Sequence, residues 1–141
     1  MPIAEPSLIL DTHVWLWLAN GKTELAETTW DDLLQGIPPK RLLVSAISTW
    51  EVAMLEAKGR ISLSEPVGRW VEAALSLPGI ALLPLSPAIA VESSRLPGAF
   101  HGDHANRILV ASARLTDAPL VTRDAAIVDY GRQGYVRVIG V

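Results

Sequence analysis

The chain has no cysteine, which excludes disulfides and thiolate-held metals alike. Phenylalanine and tyrosine are scarce, one and two residues respectively, so the aromatic content rests on five tryptophans. No apolar run approaches the roughly 18 residues that a membrane-crossing helix needs. The opening Met1-Pro2-Ile3-Ala4-Glu5-Pro6 has neither a basic stretch nor an apolar segment, so no signal peptide is expected and a cytoplasmic location is. Excess positive charge is also missing: 12 Lys and Arg face 15 Asp and Glu, for a net charge of −3. A general electrostatic binder of nucleic acid would be basic. Any chemistry on nucleic acid must therefore rely on local arginines and a bound cation.

Apolar residues, by contrast, are abundant. They make up 50% of the 141 residues, and the mean hydropathy is +0.30. A chain of this length forms one domain, expected over 1–141, but has trouble hiding so much apolar surface alone. A protein partner, a homodimer or both are expected. There is no internal repeat, low-complexity tract or linker.

Short apolar runs alternate with amphipathic ones. Strands are predicted over Ser7–Leu10, Leu42–Ser45, Ile80–Leu83, Leu120–Thr122 and Val136–Ile139. Helices are predicted over Thr12–Ala19, Thr23–Gln35, Ile47–Lys58, Glu65–Ser76, Pro87–Arg95, Asp103–Thr116 and Ala125–Tyr130, with stops at Asn20-Gly21, Gly36, Gly59, Pro78-Gly79 and Pro97-Gly98. Strand–helix alternation predicts an α/β fold: one mostly parallel central sheet with helices on both faces. Its strands are nearly all apolar, as strands covered on both sides should be. Ligands of such sheets sit at the carboxyl ends of the strands.

Acidic residues collect at those ends. Asp11 follows the first strand and Asp124 the fourth; Glu51 lies one to two turns into the helix after the second; Asp103 and Asn106 open the long helix before the fourth. Carboxylates brought together repel one another unless a cation or proton intervenes. A hard divalent cation with oxygen ligands resolves this, and magnesium can also activate water and stabilise a phosphodiester oxygen. A purely structural reading stands beside this one. Asp11, Asp103 and Asp124 are good helix N-caps, and Ser48-Thr49-Trp50-Glu51 fits a capping box in which Glu51 reaches back to the Ser48 amide. Capping does not exclude metal ligation by the same carboxylate.

Four blocks, Leu8–His13, Val44–Glu51, His101–Ala111 and Val121–Asp124, resemble in content and order the signatures of PIN-domain nucleases, above all the VapC toxins of toxin–antitoxin pairs. The resemblance runs nearly end to end. It implies an acidic quartet that binds Mg²⁺ or Mn²⁺ and hydrolyses RNA, and inhibition by a cognate VapB-like antitoxin. Asp11, Glu51 and Asp124 map onto three of the acids. The third block departs from the family pattern Asp-Pro-x-Asp-Arg: here it reads Asp103-His104-Ala105-Asn106-Arg107, with Asn106 at the usual acid. Two readings follow. Asp103, about one turn earlier, compensates; or Asn106 marks a fold that keeps its partner but has weak or lost catalysis.

Arg107 and Arg123 adjoin the acids and are candidates for substrate phosphate, guanidinium being suited to that geometry; the alternative for each is a structural ion pair. His13, His101 and His104 are expected at the surface or in caps, and Thr12 and Thr122 to orient a carboxylate or water. Trp15 and Trp17 point about 200° apart on a helix and cannot share a core. One is expected near the surface, with Trp30 and Trp70 extending a groove for a partner peptide, and Trp50 in the core. A covalent phosphatase site is disfavoured because His13 stands where a second Asp would be. No Gly-rich phosphate loop is present.

Overall fold

Among the described residues, five strands, all parallel, form one sheet in the order β3-β2-β1-β4-β5. The expectation of a mostly parallel sheet thus becomes a wholly parallel one. The computed structural model describes residues 7–21 and 41–141. The helix predicted over Thr23–Gln35, its stops and Trp30 lie outside the described residues. In chain order the elements are β1 (Ser7–Leu10), α1 (Thr12–Asn20), β2 (Arg41–Ser45), α2 (Ala46–Ala57), α3 (Val67–Leu75), β3 (Ile80–Leu83), α4 (Pro87–Ser93), α5 (His104–Thr116), β4 (Leu120–Thr122), α6 (Ala125–Arg132) and β5 (Val138–Gly140). Among the described residues no helix is long and apolar enough to cross a membrane.

Strand side chains alternate between two faces, and each face has its own core. Ile9, Leu43 and Leu120 pack with Ile89 of α4, Leu109 and Val110 of α5, and Ile127 and Tyr130 of α6. Leu8, Leu10, Leu42, Val44 and Val121 pack with Val14 and Trp15 of α1, Val52 of α2, and Trp70 and Ala74 of α3. This is why the strands read as unbroken apolar runs rather than alternating ones. Helices α1 to α3 cover one face and α4 to α6 the other. The chain therefore changes sides around β1, whose neighbours are β2 and β4. Such a switch point opens a crevice beyond the carboxyl ends of the two strands.

Register brings those ends level. Leu10 pairs with both Val44 and Val121, and the Asp11 amide donates to the Val121 carbonyl at 3.0 Å. Gly21 ends α1 in a left-handed conformation (φ 64°) that disfavours side chains with a Cβ, matching the predicted stop. Gly102 serves the entry to α5: a Cβ there would stand 2.4 Å from the Phe100 ring.

The tryptophans depart from expectation. Trp15 is fully buried and Trp17 half-buried, as the 200° argument requires. Trp70, expected near the surface, is buried edge-on against Trp15 with ring centres 5.1 Å apart, and its indole N–H donates to Asn20. Trp50, expected in the core, is 53% exposed. The inward face of α2 is taken by Ser48 and Val52, both fully buried, and position 50 points about 200° from each.

Candidate active site

Asp11 caps α1 directly off β1. Its Oδ1 accepts from the Thr12 amide at 2.6 Å, and its Oδ2 accepts from the Thr122 hydroxyl at 2.5 Å. The same Thr122 oxygen accepts the Asp124 amide at 3.0 Å. One buried threonine thus links the two acid-bearing strand ends. Asp124 in turn caps α6 by accepting from the Ile127 amide at 3.0 Å. Asp103 caps α5 by accepting from the Asn106 amide at 2.8 Å. All three aspartates are caps as well as candidate ligands.

Glu51 is placed otherwise than expected. The N-cap of α2 is Ser45, whose hydroxyl accepts from the Ile47 amide, so the Ser48–Glu51 capping box does not form. Strand β2 passes into the helix without a loop, because Ser45 ends one and caps the other. Ser48 instead lies inside the helix, fully buried, with its hydroxyl 2.8 Å from that of Thr12. This bond ties α2 to α1. One turn on from Ser48, on the same face, Glu51 reaches the cleft. Ser48 is thus a tie between helices rather than a cap; its signal in the sequence is a hydroxyl three residues before a glutamate on a helix otherwise apolar inward.

The crevice beyond β1 and β4 is a cleft of about 360 Å³ lined by Asp11, His13, Trp17, Glu51, Asp103, Asn106, Arg123 and Asp124. Carboxylates from four separate chain segments share it. Their electrostatics show the crowding. Burial is the main cause of a raised Asp11 pKa, only partly offset by the bonds from Thr122 and Thr12, and the charge of Asp124 raises it further. Glu51 is also raised, first by burial and then by repulsion from Asp11 and Asp103, against a lowering hydrogen bond from Thr12. Asp11 and Glu51 thus each register the charge of a neighbouring carboxylate.

Among the described residues, no three His, Asp or Glu side chains stand as a ready metal-ligand set. The Asp11 oxygens are turned to its cap and to Thr122, and those of Asp124 to its cap and to Asn106. The donor set still suits a hard divalent cation by chemistry, being all oxygen, and by charge. Magnesium commonly takes only one or two carboxylates and keeps its waters.

Asn106 turns its side-chain amide toward Asp124, Nδ2 to Oδ2 at 3.4 Å. Arg107 does not line the cleft. Its Nε and one terminal nitrogen donate to the carbonyls of Ser93 and Phe100, both at 2.8 Å, which gives it a structural duty. Arg123 does line the cleft; its Nε donates to the Val141 carbonyl at 3.0 Å and its guanidinium carbon lies 5.0 Å from the centre of the Trp17 ring. His13, His101 and His104 are exposed, and of these His13 lines the cleft.

The acidic cleft thus lies at the switch point of a parallel sheet, where folds of this kind place their ligands, with an arginine at its rim. The PIN domain family model matches residues 8–133, and the chain belongs to that family. It is 30% identical over 118 residues, 84% of this chain and 87% of the relative, to Ribonuclease VapC22 of Mycobacterium tuberculosis. Its fold is shared with VapBC-1 of nontypeable Haemophilus influenzae (TM-score 0.67, 18% identity, covering 95% of this chain and 97% of that one). A structure of VapBC2 from Rickettsia felis bound to a promoter DNA fragment is similarly related (TM-score 0.65, 15% identity, 95% and 98% covered).

Proposed function

We propose that this chain is a divalent-metal-dependent endoribonuclease that hydrolyses RNA phosphodiester bonds as the toxin of a cytoplasmic toxin–antitoxin pair. The observation that carries the reading is the convergence of Asp11, Glu51, Asp103 and Asp124, remote in sequence, on one cleft. Similarity to a protein named as a ribonuclease supports the substrate class. Fold likeness to toxin–antitoxin complexes supports a VapB-like antitoxin as partner. Exposed Trp50, Leu82, Leu85, Val91 and Leu115 are apolar surface that an antitoxin or a second copy in a homodimer would cover.

The four carboxylates would hold Mg²⁺ or Mn²⁺. When bound, such a cation supplies Lewis-acid activation of water and of the phosphodiester. The chain's own residues prepare the cleft for it. Thr122 fixes the Asp11 carboxylate, the Thr12–Ser48 hydroxyl pair fixes the helix carrying Glu51, and Arg123 at the rim offsets carboxylate charge that would otherwise repel RNA. The proposed phosphate role rests on Arg123, Arg107 being engaged by backbone carbonyls.

A second reading is favoured by one contact. Asn106 brings no charge, and its amide faces Asp124 at the position where family members carry an acid. The reading is a PIN-fold binding module with weakened catalysis. A single assay tests both. Purified chain and Asn106→Asp are incubated with single-stranded RNA in Mg²⁺, Mn²⁺ or EDTA. Asn106→Asp is expected to bind metal at least about tenfold more tightly, the equivalent of ~1.4 kcal/mol of added attraction. Cleavage by both proteins, lost in EDTA, supports the nuclease. Cleavage by Asn106→Asp alone supports the binding module, and cleavage by neither contradicts a nuclease site here.

A further inference from the structure

We infer that Trp17, with Arg123 packed on its ring, forms a stacking platform for an unpaired nucleobase beside the scissile phosphate. The inference rests on the nuclease reading and adds to it the means of substrate recognition.

The core accounts for only one edge of Trp17. The buried apolar contacts of α1 are made by Val14, Trp15 and Leu16, with Trp17, Leu18 and Ala19 packed only partly buried against the same core. Trp17 is half-buried, its inner edge against the α1–α3 core and the rest forming a wall of the cleft. An indole is thus set among four carboxylates. Its two neighbours there have the chemistry that meets nucleic acid: the Arg123 guanidinium, 5.0 Å from the ring centre, and the His13 ring, 6.3 Å away and tilted by 51°. Sequence-tolerant recognition of single strands uses such pairs, bases stacking on aromatic rings and on guanidinium planes. The charge balance favours a contact of this kind. A cleft lined by carboxylates, in a chain of net charge −3, has little general attraction for a phosphate backbone. Stacking is uncharged and escapes that repulsion. A base held within a duplex has no free face to offer the ring.

The test compares wild type, Trp17→Leu and Trp17→Phe on a single-stranded oligoribonucleotide, intact or with an abasic nucleotide beside the cleavage site. Trp17→Leu keeps apolar volume against the core, and melting curves check its fold; Trp17→Phe keeps a smaller ring should Leu prove disruptive. On the intact strand Trp17→Leu is expected to lower kcat/KM about 10- to 100-fold, mainly through KM, with Trp17→Phe closer to wild type. The abasic strand should lower wild type by a similar factor and leave Trp17→Leu unaffected. A merely structural role would lower both substrates alike, and that result overturns the platform. A separate readout is tryptophan fluorescence of Asp11→Asn titrated with the intact strand: quenching is expected, and its loss in Asp11→Asn/Trp17→Phe. RNA cleaved equally by wild type and Trp17→Leu refutes the platform alone. RNA neither cleaved nor able to quench refutes the platform and the nuclease reading together. Weakened inhibition by antitoxin with unchanged RNA kinetics also refutes it, assigning Trp17 to the protein partner.

Discussion

Asp11→Asn is expected to lose more than about 100-fold in metal-dependent RNA cleavage and yet to melt higher than wild type in EDTA at pH 7. The two effects have one cause. Asp11 is buried, and burial holds its folded pKa above 3.8, the ordinary value for Asp. The folded state therefore binds the proton more tightly than the unfolded one does. Stability falls as pH rises from 3.8 through the raised folded value, and above that window the full cost of the buried charge is present. Glu51 acts in the same direction, from 4.5 upward. Asn removes the charge at position 11; its carbonyl still accepts from the Thr12 amide, and its Nδ2 takes the place of Oδ2 and donates to the Thr122 oxygen, whose hydroxyl must turn away. The gap between variant and wild type should close as pH is lowered through the window. Added Mg²⁺ should reverse the order at pH 7, because a ligand that binds only the folded state stabilises it. Thermal melts at several pH values, with EDTA or Mg²⁺, read this directly. A wild type that outlasts Asp11→Asn in EDTA at pH 7 would contradict the burial argument.

Arg107→Met is expected to cost about 2–3 kcal/mol of stability, as removing charge-assisted hydrogen bonds to backbone does. For a domain of this length the fall in Tm is roughly 6–10 °C. Arg107 crosses from α5 to the carbonyls of Ser93 and Phe100 and so holds the segment that leads from α4 into Asp103. Tyr130 of α6 grips the same segment by donating to the Pro97 carbonyl. Loss of the arginine leaves two carbonyls without these donors and loosens the entry to the α5 cap. The measurement is a denaturant or thermal melt, paired with the salt dependence of RNA binding. Unchanged salt dependence with reduced stability fits the structural role. A flatter salt dependence with intact stability is the signature of a lost phosphate contact and would return Arg107 to the substrate.

The parts of the molecule written in local pattern were legible from sequence. Unbroken apolar runs announced strands covered on both faces, and Asp11 and Asp124 stand at strand ends by simple adjacency. Their convergence follows from the parallel register, which any right-handed β–α–β chain approximates. The α2 cap was not legible, because Ser45 and Ser48 both precede helix-forming residues. What decides between them is where β2 stops, which depends on the pairing of Ser45 with Leu83 across the sheet. The tryptophans failed for a similar reason. Trp50 and Trp70 are equally apolar, and only helix phase against the sheet turns one outward and packs the other on Trp15. Arg107 could be read either way until the path of residues 93–100 was known.

The most direct measurement is anomalous scattering from crystals soaked in Mn²⁺ near pH 7. A manganese peak is expected in the cleft, with oxygens of Asp11 and Asp124 at about 2.1 Å, the distance of a hard divalent ion from its ligands. Manganese bound only elsewhere, or a cleft without a peak at saturating Mn²⁺, would contradict a shared cation among these carboxylates.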